Sequence, residues 1–150
     1  MKKFIIILGI VFFSTSTLAK TSGEIGLGYN YGGIVGFVQN VDVNSNTEVF
    51  FGSGLDLDSV GFVVGAKFWP NDNVRLTMNY GTNCIVDYVS YYKSYSGINF
   101  GVGYAFHGKD EGVTVDLMLL DWTECYKHAA GITETGVSLS IGYKFGMFAF

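Results

Sequence analysis

From Val137 to Met147 every odd position is apolar (Val137, Leu139, Ile141, Tyr143, Phe145, Met147), and every even one is small or polar (Ser138, Ser140, Gly142, Lys144, Gly146). Successive side chains of a strand point to opposite faces, whereas a helix repeats every 3.6 residues, so this spacing predicts a β-strand with one greasy and one wet face. The same period predicts strands over residues 24–31, 34–43, 47–55, 60–69, 74–80, 98–106 and 113–122, with the closing strand from 136 onward. Turn chemistry separates them: Gly32-Gly33, Asn44-Ser45-Asn46, a polar stretch at 56–59, Pro70-Asn71-Asp72-Asn73, and a polar turn at 107–112. Two longer connections remain, at 81–97 and 123–135.

A soluble β-sandwich also alternates, so what lies opposite the apolar face decides the fold class. Here it is mostly Gly, Ser and Asn with a few charges. Eight strands enclose an interior just wide enough for side chains, which small residues suit. The expectation is therefore all-β: an eight-stranded antiparallel up-and-down transmembrane β-barrel, its apolar face in lipid and no backbone edge left unpaired. With 21 Gly, 10 Tyr and 13 Phe against one Pro, the composition fits short alternating strands better than membrane helices.

Residues 1–19 read as a secretory signal peptide. Lys2 and Lys3 precede the apolar run from Phe4 to Phe13, and Thr17-Leu18-Ala19 offers a small-x-small cleavage site. The barrel domain is then 20–150. Losing Lys2 and Lys3 from nine basic residues leaves the thirteen acidic ones in clear excess, which argues against a nucleic-acid partner. No Cys/His cluster has metal-ligand spacing and no phosphate loop occurs, so neither a metal nor another cofactor is expected.

An amino end on the periplasmic side puts the turns at 44–46, 70–73 and 107–112 there, and the longer connections outside. Outward aromatics then form two girdles, Phe68, Phe106, Tyr143 and Phe145 at one rim and Tyr29, Tyr31 and Tyr80 at the other. Cys84 and Cys125 both fall in outer connections of an exported chain, which predicts a disulfide between them.

Strand parity sends Asp42, Glu48, Lys67, Arg75, Asp116 and Lys144 inward, with Glu24 near the opening. Charges in a narrow interior must be paired, so an ion-paired plug is expected; the sharper alternative is a narrow ion path in which Arg75 switches between Glu48 and Asp116. Tyr88, Tyr91, Tyr92 and Tyr95 alternate with serines around Lys93, a composition suited to surface recognition. Projecting strands rich in Tyr would look the same. A nucleophilic serine needs a histidine and an acid, and only His107 and His128 are available; His128 shares the outer side with Ser90, Ser94, Ser96, Asp87 and Asp121.

Over nearly all of the exported part the chain resembles the small eight-stranded outer-membrane barrels of the OmpA/OmpX type. The resemblance rests on Pro70-Asn71-Asp72-Asn73-Val74-Arg75-Leu76, similar to their short periplasmic turns, and on Tyr143-Lys144-Phe145, similar to the terminal signal read by the barrel-assembly machinery. It implies a monomer in the outer membrane of a Gram-negative cell, surrounded by lipid and lipopolysaccharide. A structural or adhesin-like role through outer loops and a surface ligand follows, with a lipid A-modifying enzyme or a narrow channel as alternatives.

Overall fold

The computed structural model describes residues 20–57, 59–88, 91–128 and 134–146, without the side chains of 87–92. The strands are β1 (Thr21–Leu27), β2 (Val35–Asn44), β3 (Thr47–Leu55), β4 (Val60–Phe68), β5 (Val74–Tyr88), β6 (Tyr91–Ala105), β7 (Gly112–Asp121) and β8 (Thr135–Gly146); a short helix, α1 (Thr123–His128), precedes β8. Each strand pairs antiparallel with the next. β1 also pairs with β8, from Ser22↔Gly146 to Leu27↔Ile141, and closes the barrel.

Sidedness follows parity on every strand, up to the bulge in β5 at Thr82/Cys84. Ile25, Phe37, Val49, Phe62, Met78, Phe100, Leu117 and Leu139 point outward and stand about half exposed, whereas the residues between them are buried in the lumen. The side chains that fill the lumen include Trp69, Arg75, Tyr31, Phe50, Lys67 and Lys144. One end of the barrel carries the turns β2–β3, β4–β5 and β6–β7 (the turn end). The other carries the β5–β6 hairpin and α1 (the hairpin end).

Three connections differ from expectation. β1 stops at Leu27 rather than continuing to residue 31, because Gly28 at φ 107° and Gly32 at φ 82° turn the chain into the lumen. There Tyr29–Tyr31 forms a single 3-10 turn. Tyr31 is wholly buried, so neither it nor the half-buried Tyr29 belongs to an outward girdle. The inward glycines make this possible: a Cβ on Gly26 or Gly142 would overlap the Tyr31 ring, and one on Gly36 or Gly61 would overlap the loop backbone. The stretch 81–97 is not a loop. β5 and β6 run through it, paired from Thr82↔Ser96 to Tyr88↔Tyr91 with a bulge at Thr82/Cys84. Finally, the connection after β7 holds a helical turn, α1. The expected signal peptide and Met147 lie outside the described residues.

Candidate functional site: the ion-paired lumen and its cap

Glu24, on β1, is the hub of the lumen. Its carboxylate accepts hydrogen bonds from Lys67 Nζ (2.6 Å), Arg75 Nη2 (2.8 Å), Tyr31 Oη (2.7 Å) and Thr114 Oγ1 (2.8 Å). The other side of the Arg75 guanidinium grips Asp116, with Nε 2.8 Å from Oδ1 and Nη2 2.5 Å from Oδ2. Such forked contacts to two carboxylates suit the planar guanidinium and fix its orientation. Lys67 Nζ also donates to Asn40 Oδ1 at 2.8 Å and lies 4.7 Å from the Phe50 ring centre. Arg75 and Lys144 both lie over Trp69, at 5.7 and 5.2 Å.

Of the residues expected to form this network, Lys67, Arg75 and Asp116 meet around Glu24. Glu48 and Lys144 form a separate pair at 2.6 Å nearer the turn end. Asp42 sits at the mouth, partly exposed and 3.5 Å from Lys109. Arg75 therefore does not bridge Glu48 and Asp116; its second carboxylate is Glu24. The fully buried charges are Glu24, Glu48 and Asp116 against Lys67, Arg75 and Lys144, so the interior is neutral.

Above the charges stands a run of asparagines. Asn83 Nδ2 donates to Asn99 Oδ1 (3.1 Å), Asn99 to Asn79 (2.9 Å), Asn79 to Asn30 (3.1 Å), and Asn30 to Asp116 Oδ2 (3.1 Å). Asp116 only accepts, so Asn30 must turn its Nδ2 toward it. At the far end Asn83 Nδ2 also donates to the Asp121 carbonyl. Both ends dictate the same direction, and no amide can flip without losing a partner. Parity placed Asn79 and Asn99 inward; nothing in the sequence pattern marked Asn30, which lies in the turned-in loop.

The hairpin end is capped. Cys84 on β5 is disulfide-bonded to Cys125 on α1, their Cα atoms 6.6 Å apart. Val86, Tyr95 and Trp122 pack around the bridge. Trp122 Nε1 donates to the Asn83 carbonyl at 2.9 Å, and its indole lies where a Cβ on Gly136 would be. Tyr95 stacks on His128 (4.9 Å, 15°) and lies under Lys93 (5.0 Å). His128 thus meets an aromatic ring. Ser94 instead bonds Ser59 (2.8 Å) and Asp56 (3.1 Å). The side chains of Tyr88, Tyr91 and Tyr92, with Asp87 and Ser90, lie outside the described residues. Among the described residues no three His, Cys, Asp or Glu side chains are grouped to hold a metal.

At the turn end a cavity of about 410 Å³ lies among Lys20, Asp42, Ser45, His107, Lys109 and Asp110. His107, expected in a solvated turn, is exposed there. Lys20 and Asp110 share a hydrogen bond that raises the lysine and lowers the carboxyl from their ordinary values. Asp56, outside the strands, is shifted upward, chiefly by burial, against the downward pull of the Ser94 hydroxyl.

The class that this geometry defines is a closed, all-β, eight-stranded antiparallel up-and-down barrel with a filled polar interior and one disulfide. No protein-family model, curated protein or solved structure matches the chain.

Proposed function

We propose that this chain is an integral outer-membrane barrel of the OmpA/OmpX type from a Gram-negative cell. On this reading it is exported by the segment 1–19, inserted through its last strand, and monomeric among lipid and lipopolysaccharide. One observation carries the reading: large apolar side chains project outward from all eight strands, while ion pairs and amides fill the inside. Water on both sides would leave that outer belt unsheltered, since contiguous apolar patches of this extent mark an interaction with lipid or protein. Strands of 9 to 10 residues such as β2, β3, β4 and β7 match the roughly 9–11 that a tilted crossing needs. The expected result is that the protein fractionates with outer membranes and shows heat-modifiable gel mobility in detergent. A chain that folds and stays in solution without detergent refutes the reading.

The role that best fits is structural or surface interaction. β5 and β6 reach 15 residues each and project beyond the neighbouring strands, tied to α1 by the disulfide. A braced platform bearing Lys93, Tyr95 and the tyrosines 88, 91 and 92 supports contact with a surface ligand, since Tyr supplies contact area at little entropic cost. Replacing Tyr91 and Tyr92 by Ser is expected to abolish adhesion with barrel abundance unchanged; adhesion that survives removes the hairpin from this role.

A further inference from the structure

Four polar side-chain atoms in the turn-end half of the lumen have no partner among the described protein atoms: Asn40 Nδ2, Glu48 Oε2, Trp69 Nε1 and Thr77 Oγ1. Their residues are at most 3% exposed. Register places them on one wall. Glu48, Lys67 and Thr77 are successive cross-strand partners on β3, β4 and β5. Trp69 follows Lys67 by two residues and faces the same way, and Asn40 lies two residues from Asp42, the partner of Glu48. Lys67 joins the set through its bond to Asn40 Oδ1.

The four groups comprise two donors, one acceptor and a hydroxyl that serves as either. A polar group left unpaired at this depth is unfavourable, so the wall calls for a ligand that donates and accepts at once. Charge narrows the choice: three buried carboxylates already balance three buried cations, and an ion of either sign would upset that balance. Glu48 and Thr77 flank Lys67 in that row, so they stand about 10 Å apart at roughly 5 Å per strand step, a span that takes more than one water.

We propose that the β3–β5 wall binds a small cluster of ordered water joining Glu48, Thr77, Asn40 and Trp69, supplied only from the turn end. Lys109 sits at that mouth. Its ammonium donates to the Ser45 carbonyl at 2.8 Å and lies 3.5 Å from Asp42 and 3.7 Å from Glu48, directly over the wall. In the other direction the Glu24–Arg75–Asp116 cluster, the buried Tyr31, Val38, Phe50 and Val63, and the asparagine run close the way. That half of the lumen is therefore open to water from the turn end and closed toward its middle. This inference rests on the barrel alone, not on where the barrel resides.

The chain has two tryptophans, which makes the test direct. Trp69 Nε1 faces the proposed water, whereas Trp122 Nε1 is bonded to a carbonyl. The unmodified, folded protein in detergent micelles is examined by nitrogen-15 NMR of the indole groups with water-selective cross-relaxation. Trp122→Phe assigns the two signals, or Trp69→Phe if that variant does not fold. The Trp69 indole proton is expected to show a cross-peak to long-lived water; its absence overturns the proposal. Lys109→Ala is expected to speed deuterium exchange of the Trp69 indole about fivefold, the effect of losing one partly buried ionic latch, with Trp122 unchanged. No acceleration, or equal acceleration at both, overturns supply from the turn end.

Discussion

Glu24 makes more charge-assisted contacts than any other carboxylate described in the lumen, and removing its charge leaves Lys67 without a carboxylate and Arg75 with Asp116 alone. Breaking one partner of a buried ionic cluster costs about 3–5 kcal/mol, because the remaining charges stay desolvated. Glu24→Gln is accordingly expected to lower the unfolding free energy by that order and so shift the urea midpoint down, read from heat-modifiable mobility. Glu124→Gln, on the exposed face of α1 beside Lys127, is expected to leave the midpoint where it was. Asp56 gives the opposite sign. Burial raises its pKa in the folded state, so folding is favoured by its neutral form; that contribution is full below the unfolded value near 3.8 and is lost as pH rises through the folded one. Asp56→Asn should therefore raise the thermal midpoint at pH 7, and the gain should vanish near pH 3. An unchanged difference across that range would mean that burial does not govern this carboxyl.

Among the elements, the β5–β6 hairpin depends most on a covalent tie. The Cys84–Cys125 bridge closes a stretch of 41 residues, and cross-linking a loop of that length restricts the unfolded chain by roughly 4 kcal/mol. Changing both cysteines to Ser should lower the unfolding midpoint and let protease cut near α1, while β1–β4 keep their protection. The bridge was legible from sequence because both thiols fall on the same side of a strand count. The hairpin was less so: Tyr and Ser suit a binding loop, but Ile85, Val86 and the tyrosines are also strand formers. The turned-in segment was the hardest to read. Tyr29, Asn30 and Tyr31 continue the alternation of β1, and parity cannot tell a strand that goes on from a chain that folds back inside; only Gly28 and Gly32 hinted at it. Parity likewise gives the face of Arg75 and not its height, and the stagger of a closed sheet brings Glu24, rather than Glu48, to its level.

For the molecule as a whole, the balance of buried charge and the Glu24–Arg75–Asp116 cluster across the middle of the lumen close the path to an ion. The purified barrel is expected to give no conductance steps in planar bilayers at neutral pH; discrete steps would favour the narrow-channel alternative. The seat of Tyr31 carries a consequence for how such a barrel is made. Its ring lies between Gly26 of the first strand and Gly142 of the last, with its hydroxyl on Glu24 and Thr114. Until the two ends of the chain meet, half of that socket is missing. Stuffing the cylinder and zipping its seam must therefore coincide, and a nascent chain halted before its last strand would wait with its first loop unhoused.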